Sequence, residues 1–309
     1  WVPEPEQRGI AYGALRQPNL FATLLCVGSV CTVWLFHRRL LSLFMSWTMV
    51  SVLMFAVAAS GSRTGLLEVL ALAVLALLWR KQYRFAVTGL MAGQSLVLAL
   101  AMLILPIAAR WHGFGFTSGL VRVAKTGQDA RLEIWSDTLH MIAQNPWFGW
   151  GWREMGYGHY VTLFNHRFDG LLEHSHNLFL QIAVEFGLPV AVLFFSGLLW
   201  LIFHAQPWKF GSNPRNSLLE PELDKQFAWA ILLLIVGIHS MLEYPLWYAG
   251  FLFLTGVFVG YLLPVIESTM ASKKYGIWSK RMGALSAALM VCLASVGWQQ
   301  YAKVLLIYK

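Results

Sequence analysis

Charge is what this sequence most lacks. Only 12% of its 309 residues are Asp, Glu, Lys or Arg, against about 25% in soluble domains. Apolar residues make up 58%. A folded interior alone does not absorb that much apolar surface, so lipid must cover part of it. A soluble globular protein is excluded. Cysteine is scarce as well: Cys26, Cys31 and Cys292 all lie inside apolar runs. That excludes a disulfide framework and, with no Cys-x-x-Cys pair, a thiolate zinc site. The three read as small core or lipid-facing residues. Residue 1 is Trp rather than Met, and no signal peptide precedes the first apolar run. The chain is therefore expected to be a piece of a longer one. The net charge is +8, but Lys and Arg stand in short clusters between apolar runs, which argues against nucleic acid as a partner.

What is present is a series of apolar runs and many aromatic rings. A membrane span needs roughly 20 apolar residues. Eight runs qualify: 19–36, 40–59, 65–79, 85–108, 177–203, 227–242, 246–265 and 283–306, the third and sixth being short. The 15 Trp and 20 Phe suit rings placed at membrane interfaces. The expected fold is all-α: a polytopic helical membrane protein of about eight transmembrane helices, a single integral membrane domain over 1–309. Basic residues mark the cytoplasmic loops. They fall in alternate connections: Arg38-Arg39, then Arg80-Lys81 with Arg84, then Lys209, Arg215 and Lys225, then Lys273, Lys274, Lys280 and Arg281. The opposite side then carries residues 1–18, the Arg63 turn, a large loop over 109–175 and the Glu243-Tyr244 turn. In a Gram-negative cell that side is the periplasm.

The 109–175 loop is long enough to be functional. It holds Trp111, Trp135, Trp147, Trp150 and Trp152. Apolar residues at 132, 135, 139 and 142 have helical spacing, and Asn145-Pro146 ends the pattern. This predicts an amphipathic helix over 129–144 that lies on the membrane or caps the bundle.

Several polar residues stand where chemistry is possible. Arg63, in Ser62-Arg63-Thr64-Gly65, sits at the outer end of a span. It either faces a partner or cavity, as intramembrane Arg usually does, or snorkels and pairs with Glu68. Arg131 opens the amphipathic helix, with Asp129 and Glu133 available as local partners. The densest stretch is Glu173-His174-Ser175-His176-Asn177. Ser175 reads as a helix N-cap with His176 in the first turn. A helix N-terminus disfavours imidazolium, which suits a general base. His-x-His, with His159 and His166 upstream, also fits metal binding, but no helical His pair is present. Glu185 lies deep in the fifth run, where a carboxylate must be protonated or paired. Tyr244 is either an interfacial tyrosine or a ligand contact.

His174-Ser175-His176-Asn177-Leu178-Phe179-Leu180-Gln181, followed by Glu185-Phe186-Gly187-Leu188-Pro189, resembles the signature segment of the O-antigen ligase and polymerase superfamily. Three further stretches resemble its bacterial O-oligosaccharyltransferases of the PglL type: Arg16-Gln17-Pro18-Asn19; Asn145-Pro146-Trp147-Phe148-Gly149-Trp150-Gly151-Trp152; and His239-Ser240-Met241-Leu242-Glu243-Tyr244-Pro245-Leu246-Trp247-Tyr248. The signature transmembrane segment is 176–203. The resemblance implies an inner-membrane, multi-pass enzyme whose active site faces the periplasm. Its implied donor is an undecaprenyl-diphosphate-linked glycan, and its acceptor is a Ser/Thr hydroxyl of a pilin-like periplasmic protein. No metal or other cofactor is implied. His176 matches the family's essential histidine, Arg63 and Arg131 match the arginines that hold the diphosphate, and Gln17 and Tyr244 match polar residues of this branch. His174 and Asn177 join them as candidate substrate contacts. Trp150, Trp152, Tyr157 and His159 are candidates for gripping glycan by position. Family members usually carry more spans before Arg16-Gln17-Pro18-Asn19 and a soluble region after the last span, which again points to a fragment. The rival readings are a ligase to lipid A core, an O-antigen polymerase, a lipid-linked glycan flippase, and a scaffold without chemistry.

Overall fold

The computed structural model describes residues 10–113, 130–164, 168–170, 172–205 and 220–270. The chain divides into two compact units, Trp1–Tyr261 and Leu262–Lys309. The regular elements among the described residues are all helical, without strands. A one-turn 3-10 helix, Gly13–Leu15, precedes α1 (Pro18–His37), α2 (Leu43–Ser60), α3 (Arg63–Trp79) and α4 (Phe85–Trp111). The loop region carries α5 (Ala130–Gln144) and α6 (Met155–Val161), and α7 (Leu178–Phe186) and α8 (Leu188–Ala205) follow. Then come α9 (Glu220–Leu232), a π-helical turn (Leu233–Ile238), 3-10 turns at His239–Met241 and Pro245–Trp247, and α10 (Ala249–Met270). The run expected at 283–306, the Lys273–Arg281 cluster and Cys292 lie outside the described residues.

The first four runs fold as expected because apolar length and end signals agree. Pro18 opens α1, where its missing N–H costs nothing. Ser42 and Ser62 cap α2 and α3 by accepting from the Met45 and Gly65 N–H groups. Leu20, Val27 and Val30 of α1 pack with Val50 and Met54 of α2, Val69 and Leu72 of α3, and Leu90 and Leu98 of α4. Gly65 brings α3 close to α1, since a Cβ there would stand 2.7 Å from the Ala22 Cβ. Outward faces remain apolar, with Val74, Leu77, Leu103 and Ile107 exposed. Three helices, α1, α2 and α4, are long and apolar enough to cross a membrane, and shorter apolar stretches cover Leu188–Trp200 and Ala249–Leu262. The protein is a membrane protein.

The fifth run is not one span. The chain doubles back at Gly187, so that the Phe179 and Phe195 rings meet at 5.2 Å; in a straight helix residues so spaced would lie about 24 Å apart. Gly187 makes the turn with φ +87°, and the stretch from Asn145 to Gly151 closes over it. The N–H groups of Trp150 and Gly151 donate to the Val184 and Glu185 carbonyls, at 2.8 and 3.0 Å, and the Leu188 N–H donates to Pro146 O. These bonds satisfy carbonyls that a helix end otherwise leaves open.

The loop helix α5 forms where predicted but buries a face turned part-way from the expected stripe, of which Ile142 is buried and Trp135 partly so. Ile134, Thr138, Met141 and Ile142 point inward, packing with Met155, Leu180 and Ala183, while Leu132 and Leu139 of the expected apolar stripe are exposed. The reason is that α5 has two apolar faces, and the inner one meets α6 and α7.

Candidate functional site

Four helix N-termini are tied together at one place. Asn19 lies in the first turn of α1, Ser62 caps α3, Arg131 lies in the first turn of α5, and Asn177 caps α7. The residue that joins them is Glu243, a buried carboxylate in the turn after His239–Met241. Its Oε1 accepts from the Asn19 Nδ2 at 3.0 Å and from the Arg131 guanidinium. Its Oε2 stands 2.7 Å from the His176 Nδ1. The Ser62 hydroxyl donates to Asn19 Oδ1 at 2.7 Å, and Asn177 Nδ2 donates to the Met241 carbonyl at 3.0 Å. The partial positive charge of helix N-termini favours anions.

His176 is not in the first turn of a helix. Asn177, not Ser175, is the N-cap, and its side chain accepts from the Leu180 N–H at 3.1 Å. His176 precedes it with φ +54°, a left-handed backbone uncommon outside Gly. That conformation swings the ring away from the helix and onto Glu243. When the ring is neutral, a carboxylate accepting at Nδ1 places the proton there and leaves the lone pair on Nε2, the tautomer a general base needs. The loop beneath is braced from α7: Glu185 accepts from Gln181 Nε2 and the Arg153 N–H, Gln181 Oε1 accepts from the Ser175 N–H at 2.7 Å, and Trp135 Nε1 donates to Ser175 O. Glu185 is thus paired within the protein.

The other predicted residues fall as follows. Arg131 pairs with Glu243, 112 positions away. Arg63 is the first residue of α3, directly after Ser62, so its backbone adjoins the Ser62–Asn19–Glu243 chain. Glu68 is engaged by the Thr23 hydroxyl at 2.6 Å, which also lies 2.7 Å from the His239 Nδ1, in a buried polar layer on α1, α3 and the 3-10 turn. Tyr244 sets its ring edge-on to His176 at 4.9 Å and packs on His174 at 4.4 Å. Burial, then the charge and hydrogen bond of its neighbours Tyr248 and Glu243, push its hydroxyl up to about 12, so it stays a donor. Burial lowers His174 below its ordinary range, against Glu173 and with help from His176 and Arg153. Gln17 is the extended residue before α1, and its Oε1 is buried without a hydrogen-bond partner. Trp152 and Tyr157 are exposed. Trp150 is partly buried and donates to Met141 O, and His159 is buried 3.0 Å from Asp137. Cys26 and Cys31 are free thiols. Among the described residues no three of His, Cys, Asp and Glu gather as a metal group.

Burial pushes the Glu243 carboxyl up, but the hydrogen bond and charge of His176 and the guanidinium of Arg131 together outweigh it and hold the group down at about 2, below its ordinary 4.5. Its stabilising contribution is therefore complete above about 4.5 and is lost as pH falls through 2. The stability deficit of Glu243→Gln relative to wild type is expected to shrink on acidification across that window. Thermal melts in detergent at stepped pH check this; a deficit constant with pH would contradict it.

The O-antigen ligase family matches residues 44–195, a stretch that holds Arg63, Arg131, His174, His176 and Asn177. The chain carries the O-antigen ligase domain. A protein glycosylation ligase family matches residues 11–36, and the C-terminal region of virulence factor membrane-bound polymerases matches 226–309. Glu243 and Tyr244 belong to that last stretch. The chain is 26% identical over 263 residues to a general O-oligosaccharyltransferase of Acinetobacter baylyi, covering 81% of this chain. It is 25% identical over 252 residues to a ComP-specific O-oligosaccharyltransferase of the same organism, covering 80%. The chain spans 43% of the length of each of these relatives. No solved structure matches it.

Sequence reading singled out Arg131, His176 and Tyr244 but missed Glu243 and Asn19. Both lay inside quoted motifs, one residue from Tyr244 and two from Gln17. Neither carries a local sign of its role, because their partners come from other helices.

Proposed function

We propose that the full-length protein transfers an undecaprenyl-diphosphate-linked oligosaccharide to a Ser/Thr hydroxyl of a periplasmic, pilin-like protein. The observation that carries this reading is His176, oriented by Glu243 and flanked by Arg131, where four helix N-termini meet. The acceptor oxygen attacks the anomeric carbon, its proton passes to His176 Nε2, and the bond to the diphosphate breaks. Arg63 and Arg131 neutralise charge growing on the leaving oxygens, a task guanidinium performs in bidentate fashion. Such preorganised charge is often the largest catalytic contribution. Eight transmembrane helices, an inner-membrane location and a periplasmic site belong to the same reading. The relatives' names favour a protein acceptor over lipid A core.

The test co-expresses the full-length protein with a pilin-type acceptor and a lipid-linked glycan pathway, and reads the acceptor's intact mass. A glycan-sized increase supports the proposal. An unmodified acceptor with O-antigen newly attached to lipopolysaccharide makes the protein a ligase instead. Arg131→Ala is expected to raise the donor KM about tenfold or more, the loss of one charge-assisted contact; an unchanged kcat and KM would remove Arg131 from the diphosphate site.

A further inference from the structure

Glu243 is placed between the two halves of the proposed chemistry, and nothing in the sequence motifs distinguishes it from its neighbours. One carboxylate oxygen faces the His176 ring. The other takes Arg131 and Asn19. The backbone beneath it is fixed as well, since its N–H donates to the His239 carbonyl at 2.8 Å. A buried carboxylate with both oxygens engaged has one arrangement open to it. A guanidinium paired this way is also not free: a diphosphate must compete with Glu243 for its donors.

We propose that Glu243 is a positioning residue that holds His176 in the tautomer with Nε2 unprotonated and, through its other oxygen, keeps Arg131 in reserve until a diphosphate draws part of the guanidinium away. This rests on the transferase reading. Glu243 stays ionised throughout. The acceptor proton ends on Nε2, the new glycosidic bond forms at the anomeric carbon, and the departing electron pair stays on the diphosphate. Arg131 has several N–H donors in a planar fork, so it can serve an incoming phosphate oxygen while one N–H stays with Glu243. Asn19, tied to Ser62 next to Arg63, keeps the carboxylate from following Arg131 towards the donor.

The consequence is a split in kinetic constants that simple damage to the fold does not produce. Removing the carboxylate disorients the base, which lowers turnover. It also releases Arg131, which leaves donor binding unharmed or improves it. Initial rates are measured for purified full-length protein in lipid nanodiscs, with lipid-linked glycan as donor and the pilin-type protein as acceptor. Glu243→Gln is expected to lower kcat by up to about 10⁴-fold, the loss seen when the orienting carboxylate of a Ser-His-Asp triad is replaced by its amide, with a donor KM equal to or below wild type. Glu243→Asp is expected to recover part of the turnover. Asn19→Ala, which keeps the carboxylate, is expected to lower kcat about threefold to tenfold, the cost of a single hydrogen bond, with donor KM unchanged; it decides the matter if Glu243→Gln does not accumulate. A wild-type kcat in Glu243→Gln overturns the proposal while leaving the transferase intact. So does a donor KM that climbs as kcat falls. A wild type that modifies no acceptor overturns the transferase reading, and this inference with it.

Discussion

His176→Ala in the full-length protein is expected to slow glycan transfer by about 10²- to 10⁴-fold, the usual contribution of a positioned general base. The neutral acceptor hydroxyl is a weak nucleophile and must lose its proton as it attacks the anomeric carbon. In the structure His176 Nδ1 is committed to Glu243 at 2.7 Å, so a neutral ring keeps its lone pair on Nε2. The alanine variant removes that acceptor but leaves Arg131 paired with Glu243 and the Asn177 cap in place. Donor binding should therefore survive while turnover collapses. Initial rates of acceptor mass increase, at matched protein levels in the membrane, provide the measurement. A rate within twofold of wild type would mean that another group takes the proton, and the assignment of His176 would be withdrawn.

Gly187→Ala is the second large effect, and it acts on the fold. Gly187 has φ +87°, a conformation that residues with a Cβ rarely adopt. A Cβ there would stand 2.3 Å from the Trp147 carbonyl oxygen and 2.8 Å from the Phe148 nitrogen, both backbone atoms that cannot rotate aside. The backbone strain alone costs about 1–3 kcal/mol. Displacing the Asn145–Gly151 stretch loosens its hydrogen bonds to Val184, Glu185 and Leu188, each worth about 1 kcal/mol. A destabilisation of about 4 kcal/mol or more follows. Activity falls with it, because α7 braces the His176 loop through Gln181 and Ser175. Thermal melting and membrane abundance are the measurements. Gly197→Ala is the control, since nothing lies within 4 Å of a Cβ there. Equal losses in both variants, or none in Gly187→Ala, would show that the turn is not held as described.

Legibility differed between elements for physical reasons. The helices α1 to α4 were readable because each is a run of apolar residues with a cap or turn at its ends. The end of α5 was readable from Asn145-Pro146. Its buried face was not, because the helix has two apolar faces and only packing on Met155 and Leu180 selects one. The single span expected at 177–203 failed for a related reason. Its composition is apolar throughout, and composition alone does not tell a straight helix from a hairpin. The Gly187-Leu188-Pro189 stretch was a signal for the break, but the partner that stabilises it, Asn145–Gly151, lies some 40 positions earlier in the chain.

The sequence by itself determined that this is a helical membrane protein, through its length of apolar runs and scarcity of charge. It also singled out the short motifs proposed to hold chemistry, since arginine, histidine and asparagine are expensive in such surroundings and stand out there. Only the tertiary structure decided how those residues are joined. Glu243 meets Asn19, Arg131 and His176 across separations of 224, 112 and 67 positions. Periodicity and capping report on neighbours within a turn or two; a carboxylate shared between helices is set by how those helices pack, and that lies beyond any local pattern.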